Sequence, residues 1–163
     1  MSRYTTFTRS LIKTCALLAP ISVTTAPAFA DSGPQQVLYI FPGATDSGTA
    51  AGTGTASVVH CFSFSPVQET LQVVVRNFDG SVLKNTTIAI NQFQTLAIVT
   101  HVANLYAATS ILNTGELTHG AFGISATSSN IVCTAQVIDA SATVPNGIDL
   151  HGTRFNPIPG SQE

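Results

Sequence analysis

Four histidines could in principle bind a metal: His60, His101, His119 and His151. Imidazole nitrogens hold zinc or copper where several of them converge. No two of these histidines stand at the spacing of a metal-binding pair, and no H-E-x-x-H motif occurs. A blue-copper centre would usually also need a methionine, and the single methionine is Met1. We therefore expect solvent-facing or edge histidines, about one per strand, with no metal site and no cofactor.

The carboxylates are also spread along the chain. Those in predicted loops are Asp46, Asp79, Glu116, Asp139 and Asp149. Calcium needs several oxygen ligands in one place, and glycoside hydrolysis needs two carboxylates facing one bond. The spacing favours no pair, and no G-x-S-x-G motif indicates a serine hydrolase. We predict no catalytic residues. The alternative is a metal-binding protein or hydrolase whose histidines and carboxylates converge in the folded chain.

The C-terminal part of the chain gathers Asp149, His151 and Arg154 within six residues. Such a group could form a recognition loop or a catalytic Asp–His pair. If the chain binds a partner specifically, we expect these three residues and the glycine-rich loop of residues 43–56 to form the binding surface.

A structural role for the same tail is the competing interpretation, and the sequence favours it. Ile148 and Leu150 alternate, which is typical of a strand covering a sheet edge. In this interpretation they hold the tail over the sheets together with Phe155, while Arg154 pairs with an aspartate.

Two cysteines, Cys61 and Cys133, lie inside β-like runs and are 72 residues apart. An even cysteine count in an exported chain is typical of a disulfide, and closing such a loop contributes roughly 4 kcal/mol in the chain-entropy model. A reactive thiol or metal ligand would need electropositive surroundings. The adjacent His60 does not supply them, because neighbouring side chains of a strand point to opposite faces. We predict a Cys61–Cys133 disulfide.

Residues 1–30 have the parts of a secretory signal peptide. Three basic residues come first: Arg3, Arg9 and Lys13. A short apolar run and an Ala-Phe-Ala cleavage site at residues 28–30 follow. The run is too short for a membrane span, which needs about 20 residues. We predict cleavage, export to the periplasm or the medium, and no membrane insertion of the mature chain, residues 31–163.

The composition of the mature chain limits its partners. Removing the signal takes away three of the six basic residues and none of the eight acidic ones. The remainder is mildly acidic and sparsely charged, so it lacks the basic face that nucleic acids and anionic lipids require. Its length suits one domain. We therefore expect no nucleic-acid partner.

Runs of β-branched and aromatic residues predict strands. They cover residues 37–41, 57–64, 70–78, 81–90, 93–102, 117–126 and 130–138. Asp79-Gly80 predicts a hairpin turn. These runs give seven or eight strands at spacings near ten residues, and no segment has a helical period. This pattern indicates an all-β sandwich or barrel, and we expect a single antiparallel sandwich.

Three stretches between or after these strands are less regular. The loop of residues 43–56 contains four glycines among small residues, so we predict a flexible loop. Residues 103–115 fit either a strand near 109–112 or a short helical turn. The tail, about residues 140–163, contains three prolines and three glycines, and we predict an extended, irregular segment.

The order of the strands and cysteines resembles a known kind of protein. The resemblance rests on three runs: VVHCFSF (58–64), VVVRNFDG (73–80) and VCTA (132–135). They are similar to small exported bacterial proteins with an immunoglobulin-like sandwich. The resemblance implies that a cysteine on an early strand bridges to one on a late strand across the two sheets. It implies no particular function.

The sequence favours a non-enzymatic exported protein that acts as an interaction or structural module of the cell envelope or surface. Its partner would be a protein or another cell-surface component. An exposed edge strand could also pair with a second copy, so a homo-oligomer is a further expectation. A third possibility is a pilus or polymer subunit that donates a terminal strand to its neighbour.

Overall fold

The computed structural model describes residues 35–48 and 50–155, which form ten β-strands and no helix. The strands are β1 (Gln36–Asp46), β2 (Thr55–Ser63), β3 (Glu69–Arg76), β4 (Val82–Ile90), β5 (Thr95–Val99), β6 (Ser110–Ile111), β7 (Leu117–Ala126), β8 (Ile131–Asp139), β9 (Ile148–Leu150) and β10 (Thr153–Arg154).

The strands form two five-stranded sheets packed as a sandwich. The order is β10-β1-β7-β3-β4 in the first sheet and β6-β5-β2-β8-β9 in the second. Every pairing is antiparallel except that of β5 with the two-residue β6. The predicted all-β sandwich is confirmed. Seven strands overlap the seven predicted runs, and the three additional strands are short.

Alternating burial explains why these strands pack as two layers. In β3, Leu71, Val73 and Val75 are fully buried, while the residues between them are partly exposed. β7 contributes Phe122 and Ile124 to the same cluster between the sheets. Removing each such side chain from water stabilises the fold by about 1.5–3 kcal/mol.

β1 runs five residues past Phe41, where the sequence predicts its end. Pro42 has no backbone N–H to donate to a neighbouring strand. On the side of β1 that faces β10 few such bonds are needed, because β10 pairs only with Tyr39 and Ile40. Pro42 therefore lies on a largely free edge, where proline is tolerated. Gly43, with φ of 87°, lies at a shift of the register with β7. The extension carries Asp46 to the end of the strand.

A smaller core lies on the outer face of the second sheet. Side chains of the segment after β5 cover part of this face and bury a second apolar cluster there. Its buried members are Ala56, Val58, Val99, Ala103, Ile138 and Ala140, with Tyr106 and Ala108 packed against them. Residues 103–109, left open by the sequence, therefore serve as a cover, and a strand follows at Ser110–Ile111.

The Cys61–Cys133 disulfide is confirmed. The two cysteines lie directly opposite each other on β2 and β8, with their Cα atoms 4.2 Å apart. Such close pairs are the non-hydrogen-bonded positions of an antiparallel ladder. The bridge therefore joins neighbours within one sheet. The resemblance to immunoglobulin-like proteins implies a bridge between sheets, so the structure differs on this point.

The predicted signal peptide lies outside the described residues. No helix within the described ranges is long and apolar enough to cross a membrane.

The predicted loop of residues 43–56 is shorter than expected, because β1 and β2 occupy both its ends. The part of the loop between these strands is held by a hydrogen bond: the Gly52 amide donates to the carbonyl of Val102 at 2.8 Å.

Candidate functional site

The C-terminal tail passes from one sheet to the other. β9 pairs with β8, with Asp149 opposite Gln136, and β10 pairs with β1, with Arg154 opposite Tyr39. Between them the chain passes Gly152, where an added Cβ would lie 2.2 Å from the Phe41 ring. Only glycine allows the backbone to approach a ring this closely. Where the sequence predicts an irregular tail, the structure has two short strands that link the sheet edges.

A cleft of about 630 Å³ opens beside this crossing. Residues of β8 and of the tail form its walls together with the rings of Tyr39 and Phe41, which stack with centroids 5.4 Å apart. Asp149 and His151 line the cleft. The structure thus brings two of the three predicted partner-binding residues to one concave surface.

Arg154, the third predicted residue, holds the tail in place. Its guanidinium lies 5.0 Å from the centroid of the Tyr39 ring, a cation–π contact. Nη1 donates to the Tyr39 hydroxyl, and Nη2 donates a 2.8 Å hydrogen bond to the carbonyl of Ser129. These contacts connect β10 to β1 and to the turn before β8. The aspartate contact that the sequence suggests for Arg154 stays a prediction.

Asp149 belongs to a chain of hydrogen bonds across the second sheet. Gln136 Nε2 donates to Asp149 Oδ1 at 2.8 Å, and the Tyr106 hydroxyl donates to Gln136 Oε1 at 3.1 Å. The chain fixes the carboxylate at the margin of the cleft and leaves it partly accessible, because the residue is exposed.

The apolar residues of the tail only partly follow the prediction. Leu150 packs against the main core. Ile148 and Phe155 are 73% and 52% exposed, so their predicted packing over the sandwich is wrong. Strand pairing and Arg154 therefore hold the tail more than apolar burial does.

A buried contact between an aspartate and a histidine, which the sequence did not predict, closes one end of the sandwich. His101 Nδ1 lies 2.8 Å from Asp46 Oδ2, and its Nε2 lies 3.0 Å from the carbonyl oxygen of Thr53. Both ring nitrogens of His101 therefore lie within hydrogen-bond distance of an oxygen atom. Gly48 N donates to Asp46 Oδ1 at 2.7 Å. The pair connects the end of β1, the loop after it and the residue after β5.

A second buried carboxylate, Glu69, lies at the other end of the sandwich. Ser65 Oγ donates to its Oε1 at 2.5 Å, and the Thr127 hydroxyl donates to its Oε2. Burial alone would raise the pKa of Glu69, but hydrogen bonds from Ser65, Thr127 and Ser128 outweigh it and lower that pKa. Glu69 thereby connects the turns after β2 and β7.

The four histidines differ in how exposed they are to solvent. His119 and His151 are exposed, as predicted. His60 is half-buried, with its ring centroid 4.7 Å from that of Tyr106, and burial lowers its pKa. For His101, solvent exposure was the wrong prediction, since it is only 8% exposed. Within the described residues, no three His, Cys, Asp or Glu side chains are grouped as a metal site.

No family model matches the chain, and no curated protein matches its sequence. The functional interpretation therefore depends on the geometry of the cleft and of the surfaces around it.

Proposed function

We propose that this chain is an exported, non-enzymatic interaction module that binds a protein or another cell-surface component at the cleft beside the tail. The intra-sheet disulfide supports export, because such bonds persist in oxidising compartments. A concave site with an apolar wall and a few placed polar groups is the usual form of a specific binding surface.

The observation that carries the proposal is that some acidic and histidine side chains are buried and bonded within the fold, while others lie at the cleft. Asp46, His101 and Glu69 are buried and hydrogen-bonded to neighbouring loops, so they hold the fold together. Asp149 and His151 instead lie at the cleft, where a partner could reach them. The wall that carries them comes from a segment fixed to both sheets, so binding would require little ordering of the chain.

The test is crosslinking in cells that express the tagged chain, followed by mass spectrometry of the captured proteins and glycans. The double variant Asp149→Ala/His151→Ala removes the carboxylate and the imidazole that line the cleft and leaves Arg154 unchanged. Glu116→Ala is the matched control, because Glu116 is also an exposed carboxylate and does not line the cleft.

We expect one specific envelope or surface component with the unaltered chain and with the control, and its loss from the double variant at an unchanged melting temperature. Equal capture by the double variant, or no specific capture by the unaltered chain, would contradict the proposal.

A further inference from the structure

The outer face of the second sheet carries an exposed aromatic patch beside the part that Tyr106 covers. Phe62 of β2 and Phe93 of the turn before β5 form its centre, with ring centroids 6.5 Å apart and planes within 20° of parallel. Polar and small apolar side chains surround the rings. We define the aromatic patch as His60, Phe62, Phe93, Thr95, Val132 and Thr134.

Phe93 adopts a backbone conformation that a bulky residue rarely has. Its φ is 56°, in the left-handed region that glycine and asparagine favour. Its amide donates a 2.8 Å hydrogen bond to the carbonyl of Ser63, which fixes the turn. The side chain is nevertheless 66% exposed, so burial does not compensate for the strained backbone. Stability alone would favour glycine at this position, and the aromatic ring therefore calls for another explanation.

The chemistry of the patch is apolar and uncharged. Neither Asp, Glu, Lys nor Arg belongs to it, and burial lowers the pKa of His60, which keeps that imidazole neutral at neutral pH. The exposed hydroxyls of Thr95 and Thr134 flank the rings. A shallow depression of about 160 Å³ lies among these side chains.

We propose that the aromatic patch binds an uncharged polysaccharide, with sugar rings lying on Phe93 and Phe62 and sugar hydroxyls contacting the threonines. The negative face of an aromatic ring attracts the C–H groups of a sugar, which carry partial positive charge. Neutral hydroxyl and imidazole groups can exchange hydrogen bonds with sugar hydroxyls without the desolvation cost of a charge. A charged glycan would find no counter-charge here.

The test is depletion of the purified mature chain from solution by insoluble cellulose, chitin and mannan, with polygalacturonate as the charged comparison. Phe93→Gly removes the ring and relieves the strained backbone. His119→Gly is the matched control, because His119 is also exposed, has φ of 49° and lies on the first sheet.

We expect at least one neutral polysaccharide to deplete the unaltered chain and the control, and at least tenfold weaker depletion of Phe93→Gly. Both variants should melt at a higher temperature than the unaltered chain, so lost binding cannot be attributed to unfolding. Three outcomes would overturn the proposal: no depletion by any neutral polysaccharide, equal depletion of Phe93→Gly, or binding only to phosphatidylcholine vesicles or to a second copy of the chain.

This inference rests on side chains other than Asp149 and His151, although Thr134 lines both the cleft and the aromatic patch. The double variant Asp149→Ala/His151→Ala should retain polysaccharide binding at full strength, since neither residue belongs to the aromatic patch. Loss of crosslinked partner with intact polysaccharide binding would support two separate surfaces. Loss of polysaccharide binding in that variant would overturn the assignment to the aromatic patch.

Discussion

The two ends of the sandwich each contain a buried carboxylate, and their partners differ. Asp46 ends β1 opposite the start of β7, while Glu69 begins β3 beside the end of β7. Asp46 faces the imidazole of His101, whereas Glu69 is held by neutral hydroxyls. Both connect a strand end to neighbouring loops.

The difference shows two ways to satisfy a buried carboxylate. A hydroxyl can donate or accept, so the site around Glu69 can adapt to a neutral side chain. The site around Asp46 cannot adapt as easily, because both ring nitrogens of His101 lie within hydrogen-bond distance of an oxygen atom, Oδ2 of Asp46 and the carbonyl oxygen of Thr53. Removing one member of a buried pair leaves the other without its partner. We therefore expect the Asp46 end to tolerate substitution less well.

The largest effect should come from Asp46→Ala. It leaves His101 buried without its carboxylate and frees the Gly48 amide, so we expect a loss of about 3–5 kcal/mol in unfolding free energy. Urea unfolding measures it.

Asp46→Asn removes the charge of the side chain at this end of the sandwich and keeps its shape. An amide can accept from Gly48 and donate to a neutral His101, whose Nε2–H still reaches Thr53. We expect part of the loss to be recovered. A loss for Asp46→Ala no larger than that for Glu69→Ala would remove the proposed difference between the ends.

Glu69→Ala should have the second-largest effect. It leaves the hydroxyls of Ser65 and Thr127 without their acceptor in a buried site, which costs about 1–3 kcal/mol. Glu69→Gln should cost less, because both hydroxyls can reorient toward an amide. Thermal and urea unfolding of the two variants give the comparison, and a Gln variant as unstable as Ala would show that the charge itself is required.

A smaller, pH-dependent effect distinguishes Glu69 further. Its pKa is lowered in the folded chain, so its stabilising contribution is complete above the ordinary glutamate pKa of about 4.3. That contribution is lost as the pH falls through the lower folded value. The stability difference between the unaltered chain and Glu69→Gln should therefore be constant from pH 6 to 7 and shrink below about pH 4. Urea unfolding at each pH tests this, and a difference that grew in acid would reverse the sign of the argument.

The sequence predicted the seven longer strands well, because β-branched runs and the Asp79-Gly80 turn are local signals. It also predicted the disulfide from cysteine parity. The alternation of Ile148 and Leu150 indicated a strand at a sheet edge, and β9 confirms it. The sequence could not place β10, whose two residues are fixed by pairing with β1. The pair of Asp46 and His101 was missed for a related reason. Fifty-five residues separate the two, and no local pattern links them.

The smallest effect should come from an exposed carboxylate that makes similar hydrogen bonds. Asp139 Oδ1 accepts 2.6 Å and 2.8 Å hydrogen bonds from the hydroxyl and the amide of Ser141, and these lower its pKa. Asp139 is exposed, so water can replace the lost acceptor when the side chain is removed.

We expect Asp139→Ala to shift the melting temperature less than Glu69→Ala does, although both remove a carboxylate held by serine. Thermal unfolding of both variants in the same buffer makes the comparison. Both carboxylates accept a serine hydroxyl, so a larger shift for Glu69→Ala would be consistent with burial, and with the bonds of Glu69 to two separate turns, as the reason that Glu69 matters. Equal shifts would instead assign the effect to the hydrogen bonds, and the two ends of the sandwich would then have to be compared on bond number alone.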